Sequence, residues 1–202
     1  MSPPQGARQV SVGPERLGKW LAGFDERHGG ATTVTTVDWV ELTGADGDRA
    51  WVEVPYPPLD GDLVEHALRP RRIGVLLVRR GGYAAGVFDG PELSASKVGS
   101  NYVQGTTKAG GWSQQRYARR RANQASAAFA SSADGAARVL ADVTLDAFVA
   151  GGDREAVKAV LTDRRLAHLV PSGPWLTVKD PRLRVLVTMP EQFRAVRISL
   201  DP

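Results

Sequence analysis

The spacing of apolar residues divides the chain into helix-like and strand-like stretches. Leu17, Trp20, Leu21 and Phe24 recur at helical intervals from Pro14 onward, and Gly29-Gly30 ends the run. Thr32 to Leu42 is rich in β-branched residues. A turn cluster follows at Gly44 to Gly47, and Ala50 to Val54 reads as the returning strand of a hairpin, stopped by Pro55, Pro57 and Pro58. Leu63 to Leu68 has the length of a short helix. Ile73 to Val78 is an unbroken apolar run, the pattern of a strand covered on both faces. Gly81-Gly82 turns the chain, Tyr83 to Phe88 returns it, and Leu93 to Val98 adds a third strand, so the three read as a meander. Gly99 to Gly111 reads as a loop. Ser113 to Leu140 has no proline and much alanine and arginine, which predicts a long helix that Gly135 could break in two. Leu145 to Ala150 is a further strand. It leads to Asp153, placed to cap a helix whose stripe is Ala156, Val157, Val160 and Leu161. Short strands are predicted at Trp175 to Val178, Val185 to Val187 and Arg194 to Leu200. The sum is an α/β (α+β) protein, a mixed sheet with helices packed on it. Residues 1–13 are aperiodic and read as a flexible tail, and 14–202 as a single domain.

Composition narrows the chemistry. The 202 residues are 42% hydrophobic, enough for a packed core, and contain no cysteine. Thiolate nucleophiles, disulfides and Cys-based metal sites are therefore excluded. The longest apolar runs fall well short of the roughly 20 residues that span a bilayer. Met1 to Arg8 has no apolar core of a signal peptide, so the expectation is a cytoplasmic protein without membrane contact. The net charge of +4 says little by itself, but its placement says more. No Asp or Glu occurs between Glu92 and Asp134, while that interval carries Lys97, Lys108, Arg116, Arg119, Arg120 and Arg121. A local positive field of this kind suits a phosphate backbone, although a solvated arginine face would give the same count.

The most informative stretch runs from Lys108 through Gly110-Gly111-Trp112-Ser113-Gln114-Gln115 to Arg121. On a helix, Arg116, Arg119, Arg120 and Asn123 share one face. Ala118, Ala122, Ala125 and Phe129 share another, narrow enough to lie close against a sheet. Arginines without acids among them repel one another unless an anion answers, and RNA phosphates would do so. The two glycines free the backbone ahead of this helix. A glutamine amide is a poor base, but it can hold a water beside a carbonyl, which is adequate help for an activated ester. A glycine linker with polar capping residues would produce the same letters. Other constellations are weaker. His28, His66 and His168 are scattered without metal-ligand spacing, and Asp60, Asp62 and Glu65 read as a solvated loop. Ser113 lacks a nucleophile-elbow setting, and neither Gly81-Gly82 nor Gly151-Gly152 makes a nucleotide fingerprint. No metal site and no organic cofactor are expected.

These residues resemble the catalytic loop and following helix of the middle domain of eukaryotic and archaeal class-one release factors. That family has Gly-Gly-Gln, then Ser and a helix with Arg, an aromatic, Ala and Arg. Gly110, Gly111, Ser113, Arg116, Tyr117, Ala118 and Arg119 match in register, while Trp112 stands at the glutamine position. The Vms-like release factors, with Gly-Gly-Ser-Gln, are more similar. Here the same order appears with Trp112 as one further residue, and the chain is identified as a member of the actinobacterial Vms-like family, the peptidyl-tRNA hydrolases. The resemblance is strongest from Ile73 to Leu161. It implies a ribonuclease-H-like release-factor middle domain that cleaves the ester of peptidyl-tRNA at the peptidyl-transferase centre of the large ribosomal subunit, in rescue of stalled ribosomes. By the same resemblance Gln114 orients the attacking water, with Gln115 as the alternative, and Gly110, Gly111 and Ser113 shape the loop. Lys97, Lys108, Arg116, Arg119, Arg120 and Arg121 would contact RNA. Trp112 would either stack on a base or fold the loop back as an apolar plug. A ribosome- or RNA-binding protein of the same fold without hydrolysis is the competing expectation. A recruiting partner is left open.

Overall fold

The computed structural model describes residues 3, 4, 6–79, 81–100 and 113–201, and for 113–125 it describes the backbone alone. The chain forms two compact units, residues 1–70 with 190–202, and residues 71–189. The span read as one domain from Pro14 thus contains two units, and two sheets instead of one.

The first unit is built on an antiparallel sheet of five strands: β1 (Arg8–Val12), β2 (Ala31–Thr35), β3 (Trp39–Gly44), β4 (Arg49–Glu53) and β9 (Val196–Leu200), in the spatial order β1-β9-β4-β3-β2. Alternation puts Val40, Leu42, Ala50, Val52, Val196 and Ile198 on one face, where they are buried with Leu17 and Phe24 of helix α1 (Pro14–Arg27). Pro14 opens that helix at a position where its missing N–H costs nothing. Helix α2 (Leu63–Leu68) is capped by Asp62, whose carboxylate accepts the N–H groups of Val64 at 2.8 Å and Glu65 at 3.1 Å.

Two expectations for this unit are corrected. Residues Arg8–Val12, read as part of a loose tail, form β1 because they pair along their whole length with β9, from the other end of the chain. A five-residue strand has no stability without such a partner. Thr32 to Leu42, read as one strand, is two. Thr36 bends the chain, its backbone N–H donating to Trp39 O at 2.8 Å and its Oγ1 accepting the Trp39 N–H at 3.0 Å.

The second unit has a sheet of four strands: β5 (Arg72–Arg79), β6 (Gly82–Asp89), β7 (Glu92–Ser100) and β8 (Ala147–Gly152), in the order β7-β6-β5-β8. The first three form the predicted antiparallel meander, and β8 joins β5 in parallel. This is the mixed sheet that the pattern and the resemblance both lead to. One face carries Leu76, Val78, Tyr83, Ala85, Phe148 and Ala150. They pack against Ala133, Ala136, Ala137 and Leu140 of helix α3 (Ser113–Leu140) and Ala156, Val157 and Val160 of helix α4 (Arg154–Leu161). On the other face, Leu186 of the short helix α5 (Leu183–Leu186) lies against Gly86.

The predicted strand over Val185 to Val187 therefore falls in and just after a helix. Trp175 to Val178 makes only an isolated parallel bridge, Leu176 to Gly151. Short helix α6 (Pro190–Phe193) follows in the first unit. Arg194 to Leu200, read as a last strand, becomes β9 from Val196.

Helix α3 is continuous, so Gly135 does not break it. Its missing side chain serves packing: a Cβ there would collide with the Tyr83 ring and hydroxyl. Gly99 of β7 is under the same ring and is equally intolerant of a Cβ. Tyr83 is 4% exposed, and burial pushes its phenol pKa up, with Arg138 pulling the other way. The ring thus seats α3 directly on β6 and β7.

Candidate functional site

The strand register fixes where the candidate loop leaves the second sheet. Arg79 pairs with Gly82, Gly82 with Ser100, and Val78 with Gly152. The last residues of β5, β7 and β8 therefore share one end of the sheet. From Ser100 at that end the chain enters 101–112, which holds Lys108, Gly110, Gly111 and Trp112, and these four lie outside the described residues. The backbone is described again from Ser113, the first residue of α3.

Ser113, Gln114 and Gln115 thus occupy the first turn of α3, and Arg116, Arg119, Arg120 and Arg121 the next two turns. Their side chains lie outside the description. The helix begins with no acidic residue in its first turn. Its unpaired backbone N–H groups carry a partial positive charge, about half an elementary charge for a long helix. At about 1.5 Å per residue α3 is roughly 42 Å long, while an eight-residue strand is about 27 Å. The described packing of α3 begins at Phe129 and ends at Leu140, which lies against Gly74 near the start of β5. A helix that long, anchored at its C-terminal end, extends past the sheet with its first turns. Of the apolar stripe Ala118, Ala122, Ala125 and Phe129, the last is among the described side chains, and it packs against the core. Lys97 is exposed on β7.

Further groups at this end of the sheet were given no part in the site by the sequence. Gly152, at φ +91°, has no room for a Cβ against the Val78 carbonyl, which accepts the Asp153 N–H at 2.8 Å. Asp153 then caps α4 through the Ala156 N–H at 3.1 Å. The exposed Arg154 guanidinium stacks over Trp175 at 4.3 Å, and the Trp175 indole donates to Gly152 O at 3.3 Å. Helix α3 is braced further along by Arg165, which pairs with Asp134 at 2.6 Å and Asp163 at 2.7 Å. Hydrogen bonds from the Arg165 side chain and backbone hold the Asp163 carboxyl down at about 2. Of these residues Asp153 had a visible signal, a cap after a strand, as did Gly135 of α3, a glycine within an alanine-rich helix.

Charge separates the two units. Residues 71–189 carry 18 Lys and Arg against 9 Asp and Glu, a net charge of +9. Residues 1–70 and 190–202 carry the remaining 8 against 13, a net of −5. The modest overall +4 is the residue of two opposed fields.

The remaining candidates resolve into structural roles. His66 is 2% exposed, with its Nε2 2.9 Å from Pro55 O and its Nδ1 accepting the Asp60 N–H at 3.2 Å. Asp60 pairs with Arg69 at 2.9 Å, and Asp62 caps α2 through its Oδ1, so two of the three acids have structural work. His28 is the exception to the scattered reading. The β3–β4 turn brings Asp46 to 2.8 Å and Asp48 to 3.6 Å from its Nδ1, and the three donor atoms lie within 4.8 Å of one another. They could hold a divalent cation. Their visible work is to tie the C-terminal end of α1 to the turn. The His28 hydrogen bond, with the Asp48 backbone N–H behind it, holds the Asp46 carboxyl below its usual range. The Asp-Gly-Asp turn was legible, but its meeting with a helix-end histidine was not.

No curated protein matches the chain. The sequence profile of the Actinobacteria/chloroflexi VLRF1 release factor family matches residues 71–199, which is nearly two thirds of the chain. The match begins where the basic unit begins and takes in the Gly-Gly-Trp-Ser-Gln stretch, the whole of α3 and β9 up to Ser199. The chain belongs to the Actinobacteria/chloroflexi VLRF1 release factor family.

Proposed function

We propose that the protein hydrolyses the ester of peptidyl-tRNA on stalled ribosomes in the cytoplasm, with the amide of Gln114 or Gln115 positioning the attacking water. The observation that carries this reading is the placement of both glutamines in the first turn of a long helix, two residues after Gly110-Gly111 and directly before Arg116 to Arg121. The ester is activated, so its cleavage needs a well-placed water more than a strong base. The amide holds that water by hydrogen bonds. The positive end of α3 lies where negative charge develops on the carbonyl oxygen. Arg116, Arg119, Arg120 and Arg121, with Lys97 and Lys108, answer the phosphates of tRNA and ribosomal RNA. Gly110 and Gly111 admit the close approach of backbone to the acceptor end, Ser113 begins the helix, and Trp112 stacks on a base. The helix, held on the sheet through Tyr83 and Gly135, is the rigid arm that carries the tip.

Incubating the purified protein with stalled ribosome–nascent chain complexes tests the reading. Wild type releases the peptide, and at least one of Gln114→Ala and Gln115→Ala does not. Release at the wild-type rate by both variants would overturn the mechanism. Trp112 at the usual glutamine position favours a second reading, in which the chain binds ribosomes without hydrolysis. That reading predicts salt-sensitive binding with no release.

A further inference from the structure

The acidic unit carries a surface that the release reaction leaves unused. Strand β2 lies at the end of its sheet, and no described residue pairs with its outer edge. The hydrogen-bond phase of that edge is fixed. Thr36 and Trp39 form a bonded pair, so in an antiparallel ladder Thr35, Thr33 and Ala31 turn their backbone N–H and C=O groups away from β3. The Ala31 N–H is taken by the Asp25 carboxylate at 2.7 Å. Thr33 and Thr35 present theirs outward, and both residues are exposed.

Beside this edge runs a groove of about 450 Å³ between β2, α1 and the segment before α2. Val40, Leu42 and Leu63 line it as buried residues, and Leu21 and Leu59 as half-buried ones. Its polar lining includes two exposed carboxylates, Asp25 and Asp62, with no Lys or Arg among the lining residues. Each uses only its Oδ1 in the described hydrogen bonds, to Ala31 and to the start of α2. The unit around them has a net charge of −5.

We propose that the β2 edge is a docking site for a basic, extended segment of a partner protein. The segment adds as a further strand on Thr33 and Thr35, lays its apolar side chains into the groove and sets its cations against Asp25 and Asp62. Main-chain pairing supplies the affinity of such an arrangement, and alternate side chains supply the selectivity. An acidic unit repels RNA, so a basic polypeptide is the partner its field selects.

The test uses the full chain and a fluorescein-labelled heptapeptide, Lys-Thr-Val-Thr-Val-Thr-Lys, whose valines and lysines share one strand face, with a second peptide carrying Glu in place of Lys. Saturable binding of the lysine peptide is expected with a Kd below about 1 mM, and at least about tenfold weaker binding of the glutamate peptide. Amide exchange at Thr33 and Thr35 slows in the complex. Thr33→Pro removes an outward N–H without touching the ladder to β3, so it abolishes binding. Asp25→Asn with Asp62→Asn keeps both structural hydrogen bonds and weakens binding about tenfold. Several results would overturn the proposal: no saturable binding, equal affinity for the two peptides, unchanged exchange at Thr33 and Thr35, or displacement of the peptide by an RNA oligonucleotide. A concentration-dependent dimer that blocks peptide binding and disappears in Thr33→Pro would also overturn it, by assigning the edge to a second copy of the chain.

Discussion

The two units are built on the same plan, a sheet with a helix buried against one face, yet they differ in charge and in how the chain assembles them. Residues 71–189 are contiguous, carry a net +9 and contain most of the family match. The other unit joins the two ends of the chain, carries a net −5 and has only residues 190–199 inside the match. The difference separates two kinds of work. A basic surface with an arginine-rich helix suits phosphates, whereas an acidic surface with an open strand edge suits a polypeptide.

The largest effect should come from the basic unit. Replacing Gln114 and Gln115 together by alanine should lower peptide release by about 10²–10³-fold, the size found when a donor that positions a reacting group is lost. Ribosome affinity should stay within about twofold, and so should heptapeptide binding by the acidic unit. A parallel loss of ribosome binding would blur the separation.

Next in size, Arg119→Ala with Arg120→Ala should weaken ribosome binding about tenfold or more. The slope of log affinity against log salt should fall by about two, as two phosphate contacts vanish. An unchanged slope would mean that these arginines face solvent. The third effect is on stability. Gly135→Ala forces a methyl group into the Tyr83 ring, and the overpacking should cost about 1–3 kcal/mol, read as an earlier thermal transition. Unchanged melting would show that Tyr83 is not what seats α3.

The smallest is a pH effect. Asp163 is held down at about 2 against an ordinary 3.8, through Arg165. A folded-state pKa below the unfolded one stabilises the fold above about pH 4, and that contribution fades as the pH falls toward 2. In Arg165→Gln, an NMR titration should find the Asp163 carboxyl raised part of the way toward its ordinary value, because the backbone N–H of residue 165 still donates to it. A titration still at about 2 in the variant would remove the Arg165 side chain as the cause.

The basic unit was largely legible in the sequence because its elements are local. The apolar run at Ile73 to Val78, the glycine turn after it and the proline-free stretch from Ser113 each name their own structure. The acidic unit was not, because its sheet is closed by β9. Neither Arg8–Val12 nor Val196–Leu200 signals a partner almost the whole chain away. Such closure shows only in the fold, as when the Tyr56 hydroxyl donates to Phe193 O at 2.8 Å, or Arg197 pairs with Glu53. At the candidate site, the sequence supplied the glutamines and arginines. Spatial proximity supplied Tyr83 beneath Gly135 and Arg154 on Trp175, since neither pair has a spacing that a pattern can display.

One measurement bears most directly on the central claim: the fate of the tRNA after stalled complexes meet the protein in a single turnover. The account predicts deacylated tRNA with an intact 3′ end and free peptide, formed by wild type and not by the Gln114→Ala, Gln115→Ala double variant. Peptidyl-tRNA that persists on ribosomes saturated with wild-type protein would contradict it, as would equal cleavage by the double variant.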